Sequence, residues 1–185
     1  RSTQGVSSAA EDVYNREDMT PAALQEKKNA IKKGGTIIVN IYSFENRDLE
    51  LESGIAALQT KNFAHAIKLL SPIAEEGDVD AMYRMAIMLQ NGLGCQANED
   101  KAFSYMQQSA EKNFPLAQHA FGFMYLEGEC VEQNIDKSIE WFTKAAEQGL
   151  MGSATTLAML YEDGKKVPQD LEKAQYWYKK AGIEK

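Results

Sequence analysis

From Asp48 onward, apolar and polar positions recur with a helical period. Leu51, Ile55 and Leu58 share one face, Lys61-Asn62 interrupts it, and Phe63 to Glu76 resumes as a second helix. Beyond this opening pair the pattern repeats at a fixed interval of 36 residues. Ala81, Ala117 and Ser153 correspond, as do Met85, Phe121 and Leu157, then Ala86, Gly122 and Ala158, then Leu89, Tyr125 and Tyr161, then Gly92, Gly128 and Gly164. The later half of each unit keeps the same step, at Lys101, Lys137 and Lys173 and at Ala110, Ala146 and Gly182. Ala66 and Ala74 stand 36 residues before Ala102 and Ala110, so the second helix of the opening pair is already in register. A period of this length marks an array of stacked supersecondary units.

The residues within each unit predict a helix pair. A small residue at Ala86, Gly122 or Ala158 lets a neighbouring helix approach, and bulky residues on either side fill the space. Gly92, Gly128 or Gly164 ends the first helix, where left-handed backbone is needed. Asp100, Asp136 or Asp170 lies near the start of the second helix, and Tyr105-Met106, Trp141-Phe142 and Trp177-Tyr178 are its large core residues. The predicted fold is all-α, an α/α solenoid. Its opening pair covers residues 48–76 and its regular repeats cover about 80–115, 116–151 and 152–182.

Residues 1–47 read as a separate amino-terminal arm. Arg1 to Met19 is polar and of mixed charge, and is expected to be flexible. Thr20-Pro21 forms a helix start and Gly34-Gly35 a stop, predicting a short helix over Ala22 to Lys33 whose lysines suit the helix dipole. Thr36 to Ser43 (TIIVNIYS) is β-branched and apolar and predicts an extended strand. Such a strand must lie against the body, pair with a second copy, or pair with a partner.

The pattern Ala-x-x-x-Leu-Gly-x-x-Tyr-x-x-Gly-x-Gly-Val-x-x-Asp-x-x-Lys-Ala, ending in Trp-Tyr-x-Lys-Ala-Ala, resembles the Sel-one-like repeat family. It is matched by Ala117 to Gly128, Val131, Asn134, Lys137 and Trp141 to Ala146, and again by Leu157 to Gly164, Val167, Asp170, Lys173-Ala174 and Trp177 to Ala181. The stretch Pro72-Ile73-Ala74-Glu75-Glu76-Gly77-Asp78 resembles the usual opening of such arrays. The resemblance spans residues 48–182. It implies a solenoid related to tetratricopeptide repeats that binds other proteins, common in bacterial envelope assembly, motility, secretion and signalling. It is specific for fold and not for function, since repeat arrays are platforms.

Composition narrows the partners. Of 20 basic and 27 acidic side chains, 7 and 8 lie in residues 1–50, leaving 13 and 19 for the repeat body. That acidic surplus repels phosphate backbones and argues against nucleic acid. No apolar run approaches the roughly 18 residues a membrane span needs. The sequence holds no catalytic constellation: His65 and His119 are its two histidines, and it has no HExxH, nucleophile elbow or CxxC. Gly92-Leu93-Gly94-Cys95-Gln96-Ala97 superficially resembles a dinucleotide-binding turn, yet it follows a helix and recurs as a repeat loop. Glu127, Glu129, Glu132, Glu162 and Asp163 read as solvated loop surface. No enzyme, cofactor or metal site is expected.

Cys95 takes the place of Val131 and Val167, while Cys130 takes that of Gly94 and Lys166. The two lie one position out of register on equivalent loops of adjacent units, so either a disulfide between repeats or two buried free thiols is expected. A disulfide, together with a chain that opens on Arg1 without an initiating Met, points to a periplasmic or secreted setting; a cytoplasmic one is the alternative.

If the first helix of each unit lines the inner face, as in tetratricopeptide arrays, Tyr83, Ile87, His119, Phe123, Thr155 and Met159 face a groove. Such a groove takes a peptide or helix with Tyr83 and Phe123 as anchors; the alternative is that some of these residues pack between helices. The function expected is that of a non-enzymatic adaptor of the bacterial envelope that holds a protein partner. The alternative is an inhibitor or immunity protein that plugs a toxic effector enzyme.

Overall fold

The computed structural model describes the backbone from residue 36 to 184 and side chains from residue 46. The chain divides into two units, residues 1–47 and 48–185. The flexible arm and short helix expected before residue 36 lie outside the described residues.

Eight helices and no strand occur among the described residues: α1 (Thr36–Gln59), α2 (Phe63–Glu75), α3 (Val79–Asn91), α4 (Glu99–Glu111), α5 (Pro115–Glu127), α6 (Ile135–Glu147), α7 (Met151–Asp163) and α8 (Leu171–Lys180). The sequence pattern of Thr36–Ser43 predicts a strand, but the segment forms the first turns of α1. A lone strand would leave a row of N–H and C=O groups without a ladder, whereas a helix satisfies them internally. The β-branched preference for extended backbone is too weak to overcome that difference.

From α2 onward each helix packs against the next in sequence, which makes the repeat body an α/α solenoid. Its termini are built from local chemistry that recurs every 36 residues. Asn98, Asn134 and Asp170 cap α4, α6 and α8, each side chain accepting the N–H of a lysine three residues on, at 2.9, 2.9 and 3.0 Å. These bonds satisfy amides that would otherwise lack partners. The Lys173 N–H holds the Asp170 carboxyl below its usual range. Asp100 and Asp136, expected near these starts, stand in the first turns of α4 and α6, where negative charge suits the dipole. The lysines have a second use: Lys137 lies 5.1 Å from the Tyr125 ring centre, and Lys173 lies 5.1 Å from that of Tyr161. The first helices end as expected on left-handed Gly92, Gly128 and Gly164, at φ of 63°, 77° and 68°.

The core runs along the body as two apolar clusters. Phe121, 1% exposed, is the hub of the first, with the rings of Phe103, Tyr125 and Trp141 at 5.3, 4.9 and 5.2 Å. Phe142 anchors the second and is fully buried. It can lie so close to α5 because residue 122 is glycine: a Cβ there would come within 2.8 Å of two Phe142 ring atoms. Ala86 and Ala158 fill the corresponding places in the neighbouring units.

Polar groups tie the repeats together. Between the second and third repeats, Gln90 Nε2 donates to Glu129 at 2.8 Å, and Gln118 Nε2 donates to the Ala110 carbonyl at 3.2 Å. Between the third and fourth, Lys166 Nζ reaches the Leu126 carbonyl at 3.1 Å and Glu127 at 2.9 Å. The same junction holds His119 Nδ1 and Ser153 Oγ 2.7 Å apart. The His119 ring also sits edge-on to Phe123 and tilted against Phe142. Burial among these rings lowers its pKa below the ordinary 6.5.

Two outcomes test this packing. Gly122→Leu drives a side chain into the buried Phe142 ring and is expected to cost about 1 to 3 kcal/mol or more by overpacking, read from denaturant unfolding. Because the folded His119 pKa is depressed, its contribution to stability is fully present above about pH 6.5. That contribution falls as the pH drops towards the folded pKa, since the unfolded chain takes up the proton first. Thermal melts from pH 8 to 5 are expected to show a shallower decline for His119→Gln than for the parent; identical slopes would refute the assignment.

Candidate functional site

The six positions expected to face a groove lie on three first helices, two per helix and four residues apart, so each pair shares one helical face. They differ in how open they are. Phe123 is 38% exposed and Met159 58% exposed. Tyr83, Ile87, His119 and Thr155 are half-buried. Tyr83 packs edge-on to Phe114 at 5.6 Å, and burial, helped by the Asp80 charge and opposed by that of Arg84, raises its phenol pKa. Ile87 leans on the first apolar cluster. His119 is engaged by Ser153, and the Thr155 hydroxyl donates to the Met151 carbonyl at 3.0 Å.

Phe123 and Met159 meet in a cleft of about 890 Å³, together with Thr156, Leu160, Glu162, Asp163, Lys165 and Tyr178. Residues from α5, α7 and α8 and from the loop after α7 therefore converge. The cleft floor is apolar and its rim is charged. Tyr178 donates its hydroxyl to Glu162, and Lys165 pairs with Asp163 at 2.6 Å. Glu162, expected on a solvated surface, is instead half-buried. Tyr178 was legible as a core residue, but its place beside a cleft was not, because the cleft gathers residues from three helices and a loop.

Cys95 and Cys130 are both free and half-buried. Cys95 Sγ lies 3.9 Å from the Met88 carbonyl. Cys130 occupies a left-handed turn with φ of 58°, and burial, with Glu99, Glu129 and Asp100 nearby, raises its thiol pKa. The described residues contain no group of three or more His, Cys, Asp or Glu able to hold a metal, and no helix long and apolar enough to cross a membrane.

The family model for the Sel1 repeat matches residues 51–78, 79–114, 115–150 and 154–182. Among solved structures, a Sel1 repeat protein from Oxalobacter formigenes is 29% identical with a TM-score of 0.65, over 71% of this chain and 54% of that one. The protein c5321, a protective antigen of uropathogenic Escherichia coli strains with an SLR fold, is 27% identical with a TM-score of 0.67, over 89% of this chain and 33% of that one. The chain thus spans about half the length of one neighbour and a third of the other. No curated protein matches it. With four matched units whose second helices are capped in one register and three of which end their first helix on a glycine, the chain belongs to the Sel1 repeat family, whose arrays typically serve as non-catalytic protein-interaction scaffolds.

Proposed function

We propose that the chain is a non-enzymatic adaptor that holds a segment of a partner protein along the face formed by Tyr83, Ile87, His119, Phe123, Thr155 and Met159. The observation that carries this reading is the exposure of Phe123 and Met159 side by side in one apolar cleft. Exposed aromatic and thioether groups beside charged rims are the chemistry of protein recognition. Tyr83, Ile87, His119 and Thr155 contribute edges and hydrogen-bonding capacity more than open area. His119 holds the face in shape through its Ser153 contact.

The setting we propose is the bacterial envelope, in line with the description of the E. coli neighbour as a protective antigen. Cys95 and Cys130, on equivalent loops of adjacent repeats, are the candidate pair for an oxidising compartment. A second reading, an inhibitor that plugs a basic effector enzyme, draws on the surplus of 19 acidic over 13 basic side chains after residue 50. A very tight, strongly salt-dependent complex would favour it over a scaffold. Pairing through Thr36–Ser43 as a strand is not proposed, since that segment is helical.

The test is affinity capture from native cell envelope with the whole chain, with a form lacking residues 1–47, and with Phe123→Ala and Met159→Ala. The partner is expected to survive the truncation and to be lost or weakened by about 1 kcal/mol or more in each point variant. Met159→Ala should leave stability within about 0.5 kcal/mol, whereas buried Phe121→Ala should cost about 3 to 5 kcal/mol. Loss of the partner with residues 1–47, or undiminished capture by both point variants, would overturn the reading. Intact mass of native protein under non-reducing conditions reports the cysteines: a loss of two hydrogens supports the envelope setting, and two free thiols count against it.

A further inference from the structure

The apolar core is divided, and the division falls in the third repeat. The first cluster runs from Ala57 on α1 to Tyr125 on α5. The second holds the buried apolar residues of α7 and α8 and reaches back to the third repeat through Leu126, Phe142 and Ala146. Adjacent residues therefore serve different cores, Tyr125 and Leu126 on α5 and Trp141 and Phe142 on α6. Neither α7 nor α8 contributes a residue to the first cluster, so a change between the third and fourth repeats leaves that cluster whole.

Polar groups gather where the cores part. Gln118, Ser138 and Ser153 are all buried and belong to the third repeat or to the helix stacked on it. The Ser138 hydroxyl has no partner, and the second and fourth repeats carry Ala102 and Ala174 in its place. His119 stands at the junction itself. Its Nδ1 lies 2.7 Å from Ser153 Oγ on α7, and its ring meets Phe123 of its own helix and Phe142 of α6 at 4.9 and 5.5 Å. Gly152 of α7 lies against the ring as well, since a Cβ there would stand 3.8 Å from Cε1. Among the described residues no carboxylate, ammonium or guanidinium faces the imidazole from α5, α6 or α7, and burial alone lowers its pKa. The ion pair of this junction, Lys166 with Glu127 at 2.9 Å, closes the other end of α5, about two turns away.

We propose that the junction between the third and fourth repeats is an acid-responsive hinge, at which a proton on His119 loosens α7 and α8 from α5 and α6 as one piece while α1 to α4 stay folded. A neutral imidazole fits a site made of ring carbons and one hydroxyl. A charged one does not, because nothing there supplies a counter-charge and burial removes its water. Once the junction opens, the imidazole regains water and titrates near its ordinary value of about 6.5. Opening therefore takes up a proton and is favoured as the pH falls. At pH 5.5 the protonated open form outnumbers the unprotonated one by about ten to one, which sets a ceiling of about tenfold on the rise in opening from neutral pH. The hinge needs no partner and stands whether or not a segment is held across Phe123 and Met159.

Amide hydrogen exchange of the full chain at pH 7.5 and 5.5, with rates corrected for their intrinsic pH dependence, reads the opening helix by helix. Protection in α7 and α8 is expected to fall several-fold and by no more than about tenfold, while that of α2 to α4 holds. His119→Gln, and His119→Tyr, which installs the residue that position 83 carries one repeat earlier, should each flatten this response to within about twofold. His65→Gln, on the exposed side of α2, should leave it in place. A nuclear magnetic resonance titration of the imidazoles in the parent chain needs no variant and should place the His119 midpoint below about 6.5. Equal loss of protection in α2 to α4, an undiminished response in both His119 variants, or a His119 midpoint at or above the ordinary value would overturn the proposal.

Discussion

Each helix pair of this chain carries more apolar surface than its two helices can cover, and everything else in the repeat body answers to that deficit. Stacking supplies the missing cover, so burial is shared between neighbours rather than owned by a unit. Within a unit the fit is just as close: at Gly122 one helix gives up its side chain so that the next can bring the full Phe142 ring into a site with no solvent access.

The same constraint divides structure from function among the helices. The second helices spend their large residues, Tyr105, Met106, Phe142 and Tyr178, in the core. The first helices bury one stripe and leave the next partly open, which is where Phe123 and Met159 emerge. If Phe123 and Met159 form the proposed binding face, it is held by packing on both sides, so recognition needs little ordering of its own.

Much of the repeat body was legible because its determinants are local and recur: a glycine after the first helix of each regular repeat, a cap before each second one, a small residue between bulky ones. Asp100 and Asp136 stand in the first turns where expected, while the capping bonds two residues earlier, from Asn98 and Asn134, were not read from the sequence. Thr36–Ser43 misled because β-branched composition reports a preference that only a paired neighbour can realise, and the helix offered the backbone its own partners. The bond between His119 and Ser153 was not legible, for it joins residues 34 apart in different repeats. Nor was the cleft beside Tyr178, because it brings together residues from α5, α7, α8 and the loop after α7 that lie as far apart as Phe123 and Tyr178 in the sequence.

The polar ties between repeats have a consequence of another kind. His119 and Ser153 join the third and fourth repeats, but the corresponding pair one unit earlier is Tyr83 and Ala117, between which no such bond can form. Gln118, 1% exposed, finds its carbonyl at Ala110, while the same place in the next repeat is Ala154, which needs none. The units therefore look interchangeable in their apolar pattern and are not interchangeable in their amides and imidazole. An array reassembled from these modules in another order would keep its periodicity yet strand buried polar groups at its seams, so the order of the repeats is itself encoded.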